Sequence, residues 1–333
     1  MFLGAHLGIS GGFAEAVAEA GRLGAECLQI FSKSPQMWNG PPVSPEAAAR
    51  FRTAVGEAHL RATAVHHGYL LNLASPRTEM LERSRTAFLD EIARADLLGV
   101  DALIFHPGAH LGAGTSAGLA TLVESLDGAL AATPTSTTRL LLENAAGQGT
   151  TLCSSLEELA DVLGRVREAP RLGVTLDTCH LFAAGFDLRS EDGYGSLVDR
   201  VRSTIGEANV RAFHLNDAKA PVGSHLDRHE NIGRGEIGVE GFRRFVTDRR
   251  WAAVPGFLET PLDDRGYARY AEDLATLRGL RGPGAGPAAS PRRATAAGGP
   301  ARPRPAPRGS ERPRPRPRAR PAGRRASNVG RSA

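Results

Sequence analysis

Eight short apolar runs alternate along the chain with amphipathic stretches, and this pattern sets the expected fold. The runs are nearly continuous in apolar residues, which is typical of parallel strands buried on both faces. We predict strands over residues 3–9, 27–31, 62–67, 102–107, 139–144, 172–178, 210–217 and 256–261. Helical patterns lie between them, among them those over residues 44–60, 77–99, 118–133, 155–166, 239–250 and 262–280.

Two of the predicted helices carry recognisable start signals. Ser44 precedes Pro45, and proline suits the first helical position because no hydrogen-bonded N–H is needed there. Ser155 is followed three residues later by Glu158, which is the spacing of a capping box. Both signals agree with the helices that the apolar periodicity predicts.

The number and order of these elements predict an α/β fold, a (β/α)8 TIM barrel, over residues 1–280. An open, doubly wound sheet is the alternative, but it rarely contains so many equal units. No GxGxxG or GxxxxGK[ST] phosphate loop follows any predicted strand, which disfavours a nucleotide-binding sheet. The barrel is therefore the preferred fold.

The charge of the chain divides at about residue 281. The formal net charge is +5, but residues 281–333 contain 14 Arg and a single acid, Glu311, which leaves −8 for residues 1–280. This segment also holds 11 of the 22 prolines. Such a composition cannot bury apolar surface, so we predict a disordered, Arg/Pro-rich basic tail. Two interpretations stay open: a non-specific nucleic-acid contact, or a low-complexity segment without a selected role.

Other features of the composition bear on the compartment. No apolar run approaches the roughly 20 residues of a membrane span, and the start MFLGAHLGIS lacks the features of a signal peptide. Cys27, Cys153 and Cys179 lie far apart without CxxC spacing, which favours a reducing compartment. We expect a cytoplasmic protein that does not bind membranes.

Polar side chains lie at the C-terminal ends of six of the eight predicted strands. In a parallel barrel all strand ends of this kind meet at one mouth, where barrel enzymes build their sites. The loop after the seventh strand adds two more side chains, at a spacing that points both the same way in an extended segment. The resulting ring comprises His66, His106, Glu143, Asp177, His180, His214, Asp227, His229 and Glu259.

Imidazole and carboxylate ligands without thiolates suit zinc or manganese, and nine of them exceed the needs of one tetrahedral ion. Four carboxylates facing one another also require cations to neutralise them. A cluster of two or three ions is therefore expected. Three divalent ions would change the charge of residues 1–280 from −8 to −2, which suits a polyanionic ligand better.

Several further residues near strand ends receive a structural interpretation instead. A single histidine at a strand end more often satisfies a local hydrogen bond than holds a metal. Cys179 lies between two ring members and offers a thiol, but a small buried packing role is the more common one. The histidines interpreted in this way are His6, His59, His67, His110 and His225.

Six further stretches between about Gly4 and Thr260 form a recognisable set. They are GAHLGISGG (4–12), HHGYLLNLASP (66–76), FHPGAHLG (105–112), LLENAAGQG (141–149), LDTCHLFAAGFD (176–187) and HLNDAKAPVGSHLDRHENIGRGEIG (214–238), with Glu259 in FLETP. Together they resemble the endonuclease IV family of apurinic/apyrimidinic (AP) endonucleases. The combination is highly specific, because mere sharing of a fold would not place all of these in order.

The resemblance implies a trinuclear zinc site on the ring. His66, His106 and Glu143 would hold the first ion, and Glu143 would bridge to the second. Asp177, His214 and Glu259 would complete the second ion's site, and His180, Asp227 and His229 would hold the third. Manganese at one or more positions stays open.

The resemblance also implies the reaction. A base-excision-repair enzyme of this family, in which Glu143 would position the nucleophile, cleaves the phosphodiester 5′ to an abasic site in duplex DNA. The products are a 3′-hydroxyl and a 5′-deoxyribose phosphate. We accordingly expect a monomer that binds damaged double-stranded DNA and associates with the nucleoid.

Contacts with DNA are predicted in two loops and around Lys219. Tyr69 would fill the gap that an expelled abasic nucleotide leaves, and Asn216, Asp217 and Lys219 are candidates for phosphate contacts or for support of the ligands. The loop SKSPQMWNG (32–40) departs from the family, because Met37 precedes Trp38 and the usual Arg is absent. Met37 would act as an apolar wedge in the minor groove.

Two alternative functions compete with the endonuclease. A metal-dependent sugar isomerase or epimerase on a related barrel uses fewer ions and fewer histidines, so the additional set of His180, Asp227 and His229 argues against it. A DNA-binding protein that has lost activity would be expected to lack ligands, and every ligand position is filled.

Overall fold

Eight parallel strands close into a barrel in the computed structural model, which describes residues 1–282. The barrel strands are β1 Phe2–Leu7, β2 Cys27–Phe31, β3 Ala62–His66, β4 Ala102–Phe105, β5 Arg139–Glu143, β6 Leu172–Asp177, β7 Val210–His214 and β10 Pro255–Leu258. Around the barrel, β1 pairs with both β2 and β10, and the remaining strands follow in chain order. The predicted TIM barrel is thereby confirmed.

Helices follow the strands and cover the outside of the barrel. They are α1 Phe13–Arg22, α2 Pro45–Glu57, α3 Thr78–Leu98, α4 Thr115–Ala132, α5 Leu156–Arg165, α6 Thr178–Ala183, α7 Glu191–Ser203, α8 Gly238–Thr247 and α9 Ala268–Leu280. A small antiparallel pair, β8 Asp217–Ala218 and β9 His229–Glu230, lies in the loop after β7. Within residues 1–282 no helix is long and apolar enough to cross a membrane. The predicted basic tail lies outside the described residues, apart from its first two.

Successive side chains on each strand point alternately outward and inward. Outward residues such as Leu28, Ile30 and Val65 join the large core between barrel and helices. Inward residues of the lower layers form a separate apolar plug, made of Phe2, Cys27, Ala64, Ala102, Ile104, Leu141, Ala212 and Phe257. The plug fills the barrel, so polar inward residues are confined to the layer above it, at the C-terminal ends of the strands.

Some predicted element boundaries differ from those of the structure. The seventh strand ends at His214 rather than at residue 217, because the next residues leave the barrel. Asp217 turns away and its carboxylate accepts hydrogen bonds from the backbone N–H groups of Gly233, Gly235 and Ile237, at 2.9–3.0 Å. The last helix begins at Ala268 instead of residue 262.

The two helix start signals behave differently. The Ser44 hydroxyl accepts a hydrogen bond from the N–H of Ala47 at 3.1 Å, as the Ser-Pro signal predicts. Ser155 likewise accepts from the N–H of Glu158 at 3.2 Å. The reciprocal half of the capping box is wrong, because the Glu158 carboxylate accepts from the N–H of Cys153 rather than from that of Ser155.

A buried ion cluster fixes the 32–40 loop to α3. The Lys33 ammonium lies 2.8 Å from Asp90 and 3.0 Å from Glu91, and the side chains of Lys33 and Glu91 are each only 1% exposed. Ser32 donates a further hydrogen bond to Glu91. Arg94 on the same helix donates to the carbonyl of Gly40, at the far end of the loop. The loop is therefore anchored at both ends.

Replacing Lys33 with methionine is expected to lower the free energy of unfolding by about 3–5 kcal/mol, because it leaves a buried carboxylate without its cation. Lys219 offers a matched control, since it is the only other lysine of the chain, half-exposed and 3.9 Å from Glu230. Lys219→Met should change the same free energy by no more than about 0.5 kcal/mol. Urea unfolding measures both, and equal effects would contradict the anchoring role.

Candidate metal centre

The inward alternation brings the predicted ring together at the barrel mouth. His66, Glu143, Asp177 and His214 are the last residues of their strands. His106 and Glu259 follow one residue beyond the ends of β4 and β10. The remaining ligands come from α6 and from the loop after β7. All nine predicted metal ligands fall into compact groups whose ligand atoms lie within 4.8 Å of one another.

The first group contains His66, His106 and Glu143. Oε2 of Glu143 lies 3.1 Å from Nε2 of His66 and 3.6 Å from Nδ1 of His106. Glu143 is fully buried, whereas about a third of the His106 side chain is exposed. This group is thus open to the mouth on the side of His106.

The second group shares Glu143 with the first and adds Asp177, His214 and Glu259. Nδ1 of His214 lies 2.8 Å from Oε1 of Glu143, 3.5 Å from Oε2 of Glu259 and 3.9 Å from Oδ2 of Asp177. The two Glu143 oxygens therefore face different groups. That arrangement is the one a bridging carboxylate requires.

The third group contains His180, Asp227 and His229. The Nε2 atoms of the two histidines lie 3.2 and 3.1 Å from the Asp227 carboxylate. Nevertheless, neither buried nitrogen makes a hydrogen bond to any described residue. Both distances are within hydrogen-bonding range, so two imidazole nitrogens and one carboxylate converge without a hydrogen bond between them. Convergence of this kind fits a shared cation.

In three histidines one ring nitrogen contacts a backbone carbonyl, and this contact determines which nitrogen faces the site with a lone pair. Backbone carbonyls can only accept hydrogen bonds, so a ring nitrogen that contacts one must carry the hydrogen. The contacts run from His66 Nδ1 to the carbonyl of His67 (2.8 Å), from His180 Nδ1 to that of Asn144 (2.8 Å) and from His229 Nδ1 to that of Glu259 (3.2 Å). In neutral rings the second nitrogen then carries a lone pair, and it points at a carboxylate.

Two lone-pair atoms at about 3 Å repel unless a proton or a metal ion lies between them. Burial opposes the charge of His214 and His229, but the surrounding carboxylates outweigh burial and raise the pKa of each ring to about 9. Burial would likewise raise the pKa of the Glu143 carboxyl, yet His214 and His106 lower it well below its usual value. The site therefore demands positive charge, from protons or from metal ions.

Cys179 forms a further group with Asp177 and His229, yet its environment does not suit a ligand. The thiol is buried in the main core, and burial with the adjacent Asp177 raises its pKa strongly. A protonated thiol binds metal ions poorly. The predicted packing role thus agrees with its surroundings.

The candidates for support of the ligands separate in the structure. Asn216 donates from Nδ2 to Asp177 at 2.6 Å and accepts from the N–H of Glu259 at 2.9 Å, so it orients one ligand and the backbone of another. Asp217 instead organises the backbone of residues 233–238. Lys219 is half-exposed and turned toward Glu230.

Histidines with a structural interpretation occupy varied places. His59 is exposed just after α2. His67 is buried and accepts a hydrogen bond from the N–H of His106 at 3.1 Å. His110 accepts from the N–H of Gly114, and His225 lies beside the carbonyl of Ala146. Among residues 1–282 none of these four belongs to a ligand group.

His6 belongs to no ligand group within residues 1–282, as its structural interpretation predicts, but it contacts a predicted ligand. So does Gln29, which was not singled out from the sequence. His6 Nδ1 lies 3.0 Å from Glu259, and Gln29 contacts Glu259 and His214. One signal could have found both residues. Each is a polar residue that points into the barrel from an otherwise apolar strand. Each also follows, by two residues, a position at the level of the apolar plug.

The predicted DNA-contact residues differ in exposure and position. The Tyr69 side chain is 64% exposed and Met37 is 45% exposed, so both are free to meet a ligand. The loops that carry them touch, since the N–H of Tyr69 donates to the carbonyl of Pro35 at 3.0 Å. Trp38 is half-buried against the core, with the Arg83 guanidinium stacked 4.3 Å from its ring.

A cavity of about 500 Å³ opens beside the ligand groups and Tyr69. Its lining contains predicted ligand histidines and carboxylates together with aromatic rings. The aromatic lining residues are Phe31, Tyr69, Tyr267 and Tyr270. A cavity of this size accommodates one nucleotide-sized group beside the metal ligands.

Comparison with known proteins agrees with this geometry. A family described as xylose isomerase-like TIM barrel matches residues 17–280. A probable endonuclease 4 of Chloroflexus aurantiacus is 42% identical over 277 residues, which cover 83% of this chain and 97% of the relative. A probable endonuclease 4 of Halorhodospira halophila is 41% identical over 278 residues, covering 83% of this chain and 93% of the relative.

Among solved structures, some share only the fold of this chain and others also share its sequence. The D-psicose 3-epimerase of Clostridium cellulolyticum has a TM-score of 0.63 at 16% identity, covering 84% of this chain and 99% of its own, which shows a common fold alone. The endonuclease IV of Thermus thermophilus has a TM-score of 0.74 at 34% identity, covering 84% of this chain and 98% of its own. With sequence and structure in agreement, the chain belongs to the endonuclease IV family, as its motifs predict.

Proposed function

We propose that this protein incises duplex DNA on the 5′ side of an abasic site, with three zinc ions held in the barrel mouth. The observation that carries the proposal concerns the rings of His66, His180 and His229, whose Nδ1 atoms contact backbone carbonyls and must donate hydrogen bonds. Their Nε2 atoms face carboxylates, and metal ions satisfy this arrangement without further protons. The products would be a 3′-hydroxyl and a 5′-deoxyribose phosphate, as in base-excision repair.

The three ligand groups supply three sites. His66, His106 and Glu143 would hold one ion, and Glu143 would reach a second that Asp177, His214 and Glu259 complete. His180, Asp227 and His229 would hold the third. Zinc bound to these residues would supply polarisation of a phosphate and a water that is nucleophilic near neutral pH. Manganese at one or more positions would suit the same nitrogen and oxygen ligands.

Residues of this chain would position the substrate. Glu143 faces two groups at once, so its carboxylate sets their separation and orients the attacking water. Asn216 holds Asp177, which keeps that carboxylate directed inward. Residues 1–280 carry a net negative charge, which repels the phosphates of DNA. The bound ions would reduce this charge and so favour DNA binding.

Contacts with DNA would come from the rim. Tyr69 and Met37 project from adjoining loops and would occupy the space of the displaced nucleotide. Arg83 presents its guanidinium on Trp38 beside the same loop, where a positive charge would meet the DNA backbone. Lys219 is a further candidate for phosphate contact. The protein would act as a cytoplasmic, nucleoid-associated monomer, with its tail adding non-specific contacts.

A nicking assay tests the proposal. The substrate is a duplex with one synthetic abasic site, incubated with zinc-loaded protein in the presence or absence of a strong zinc chelator. Incision 5′ to the site, leaving a 3′-hydroxyl, is expected, and complete metal removal should abolish it. An undamaged duplex of the same sequence serves as the control.

Absence of incision by protein that carries three zinc ions would contradict the proposal. Activity on ketose sugars by the same preparation would then favour an epimerase, whose fold this chain shares. Incision that persists after complete metal removal would exclude the zinc mechanism while leaving the substrate unchanged.

A further inference from the structure

Gln29 lies at the base of the ligand cluster and contacts two members of it. It is fully buried on β2 and points into the barrel. Its Oε1 atom lies 2.9 Å from Nε2 of His214, and its Nε2 atom lies 2.6 Å from Oε1 of Glu259. Gln29 is therefore the only side chain of its strand that touches two ligands of the second group, as far as residues 1–282 show.

The orientation of the Gln29 amide follows from its partners. An ionised carboxylate only accepts hydrogen bonds, so the amide nitrogen must face Glu259. The same nitrogen lies 2.9 Å from Nδ1 of His6, within reach of its second hydrogen. The amide oxygen is thereby left for His214, whose Nε2 must donate to it. One amide in a single orientation thus contacts three side chains.

This orientation fixes the tautomer of His214. With the hydrogen on Nε2, the neutral ring carries its lone pair on Nδ1. Nδ1 is the atom that faces Glu143, Glu259 and Asp177. A ring with the opposite tautomer would direct an N–H at these carboxylates and leave the Gln29 oxygen unsatisfied in a buried position.

We propose that Gln29 is a positioning residue of the metal centre, which holds His214 in the Nδ1-ligating tautomer and holds the Glu259 carboxylate in place. The inference rests on the proposed zinc site. Hydrogen-bond partners of this kind orient metal ligands and strengthen binding. The apolar plug lies directly below Gln29, so no water reaches the amide from that side to replace it.

Gln29→Met tests the proposal, because methionine keeps the length of the side chain and removes both hydrogen bonds. Zinc-loaded full-length protein is mixed with an excess of a chromogenic zinc chelator, and the release of each ion is followed. Release of one ion is expected to become about 10- to 100-fold faster. Circular dichroism and zinc content establish that the variant folds and loads.

Thr175→Val is the matched control. Thr175 is an inward, fully buried residue of β6, and its hydroxyl makes no hydrogen bond within residues 1–282. Its release rates should stay within about twofold of the unaltered protein. If Gln29→Met releases zinc at the rate of Thr175→Val, the positioning role is wrong while the zinc site stands. If the unaltered protein binds no zinc, the proposed function fails with it.

A second measurement uses the unaltered protein and does not depend on the variant's folding. Nitrogen-15 spectra of histidine-labelled, zinc-loaded protein report which ring nitrogen of His214 carries the hydrogen. Protonated Nε2 and metal-bound Nδ1 are expected. The reverse assignment would overturn the proposal, because Gln29 would then face a lone pair and not a donor.

Discussion

Incision of an abasic-site duplex is expected to fall at least roughly 1,000-fold in Glu143→Gln, well beyond the 10–100-fold typical of a residue that only orients a ligand. The reason is that Glu143 faces two ligand groups at once, with one oxygen toward His66 and the other toward His214. Glutamine keeps the shape but loses one acceptor oxygen and the negative charge. Zinc content should fall together with activity.

The fold of this variant should survive, because glutamine matches glutamate in volume and the barrel closes through backbone hydrogen bonds. Circular dichroism and thermal unfolding check this point. Glu157→Gln is the control, since Glu157 is half-exposed on α5 and pairs only with Arg200 among the described residues. Its incision rate should stay within about twofold of the unaltered protein. Activity retained in Glu143→Gln would remove Glu143 from the catalytic centre.

Zinc affinity of the metal-free protein is expected to rise by roughly tenfold for each pH unit between pH 6 and 8 at each of two ligand groups, one containing His214 and the other His229. His214 and His229 each have a pKa of about 9, so both rings are protonated throughout this range when no metal is bound. Zinc binds only the neutral ring, and each proton displaced contributes about tenfold per pH unit. Affinity should therefore increase with pH and level off above about pH 9.

Calorimetric titration in buffers of different ionisation enthalpy measures the protons released, and competition with a chelator gives the affinity. At least one proton released at each of these two groups is expected at pH 7. His59→Gln should leave the slope unchanged, since His59 is exposed and outside the ligand groups. An affinity that is independent of pH would show that the rings are already neutral without metal, contrary to the electrostatics of the cluster.

Much of this architecture could be predicted from the sequence. Strand period and inward alternation are local properties, so apolar runs such as CLQIF and RLLLE revealed the barrel strands. The barrel in turn forces the ends of these strands together, which is why His66, Glu143, Asp177 and His214 could be grouped although 148 positions separate the first from the last. The family motifs added the identity of each group.

Other features depend on contacts that no local pattern contains. The hydrogen bond that the Glu158 carboxylate accepts from the N–H of Cys153 depends on how the preceding loop returns to α5. Asp217 resembled a phosphate contact in its motif, yet its carboxylate binds the backbone of a loop about 16 residues further on. The inward polar positions of Gln29 and His6 are visible in their strands, but their shared contact with Glu259 depends on the register that pairs His6 with Gln29. Such facts are set by tertiary structure.

The apolar plug gives the barrel a closed floor. Its residues are at most 7% exposed, so neither water nor ions pass from the N-terminal side to the ligands. Ions, water and substrate must consequently share one entrance, the mouth rimmed by Tyr69 and Met37. A DNA duplex seated on that rim would act as a lid on the metal centre, and cofactor exchange would be restricted to the interval between one substrate and the next.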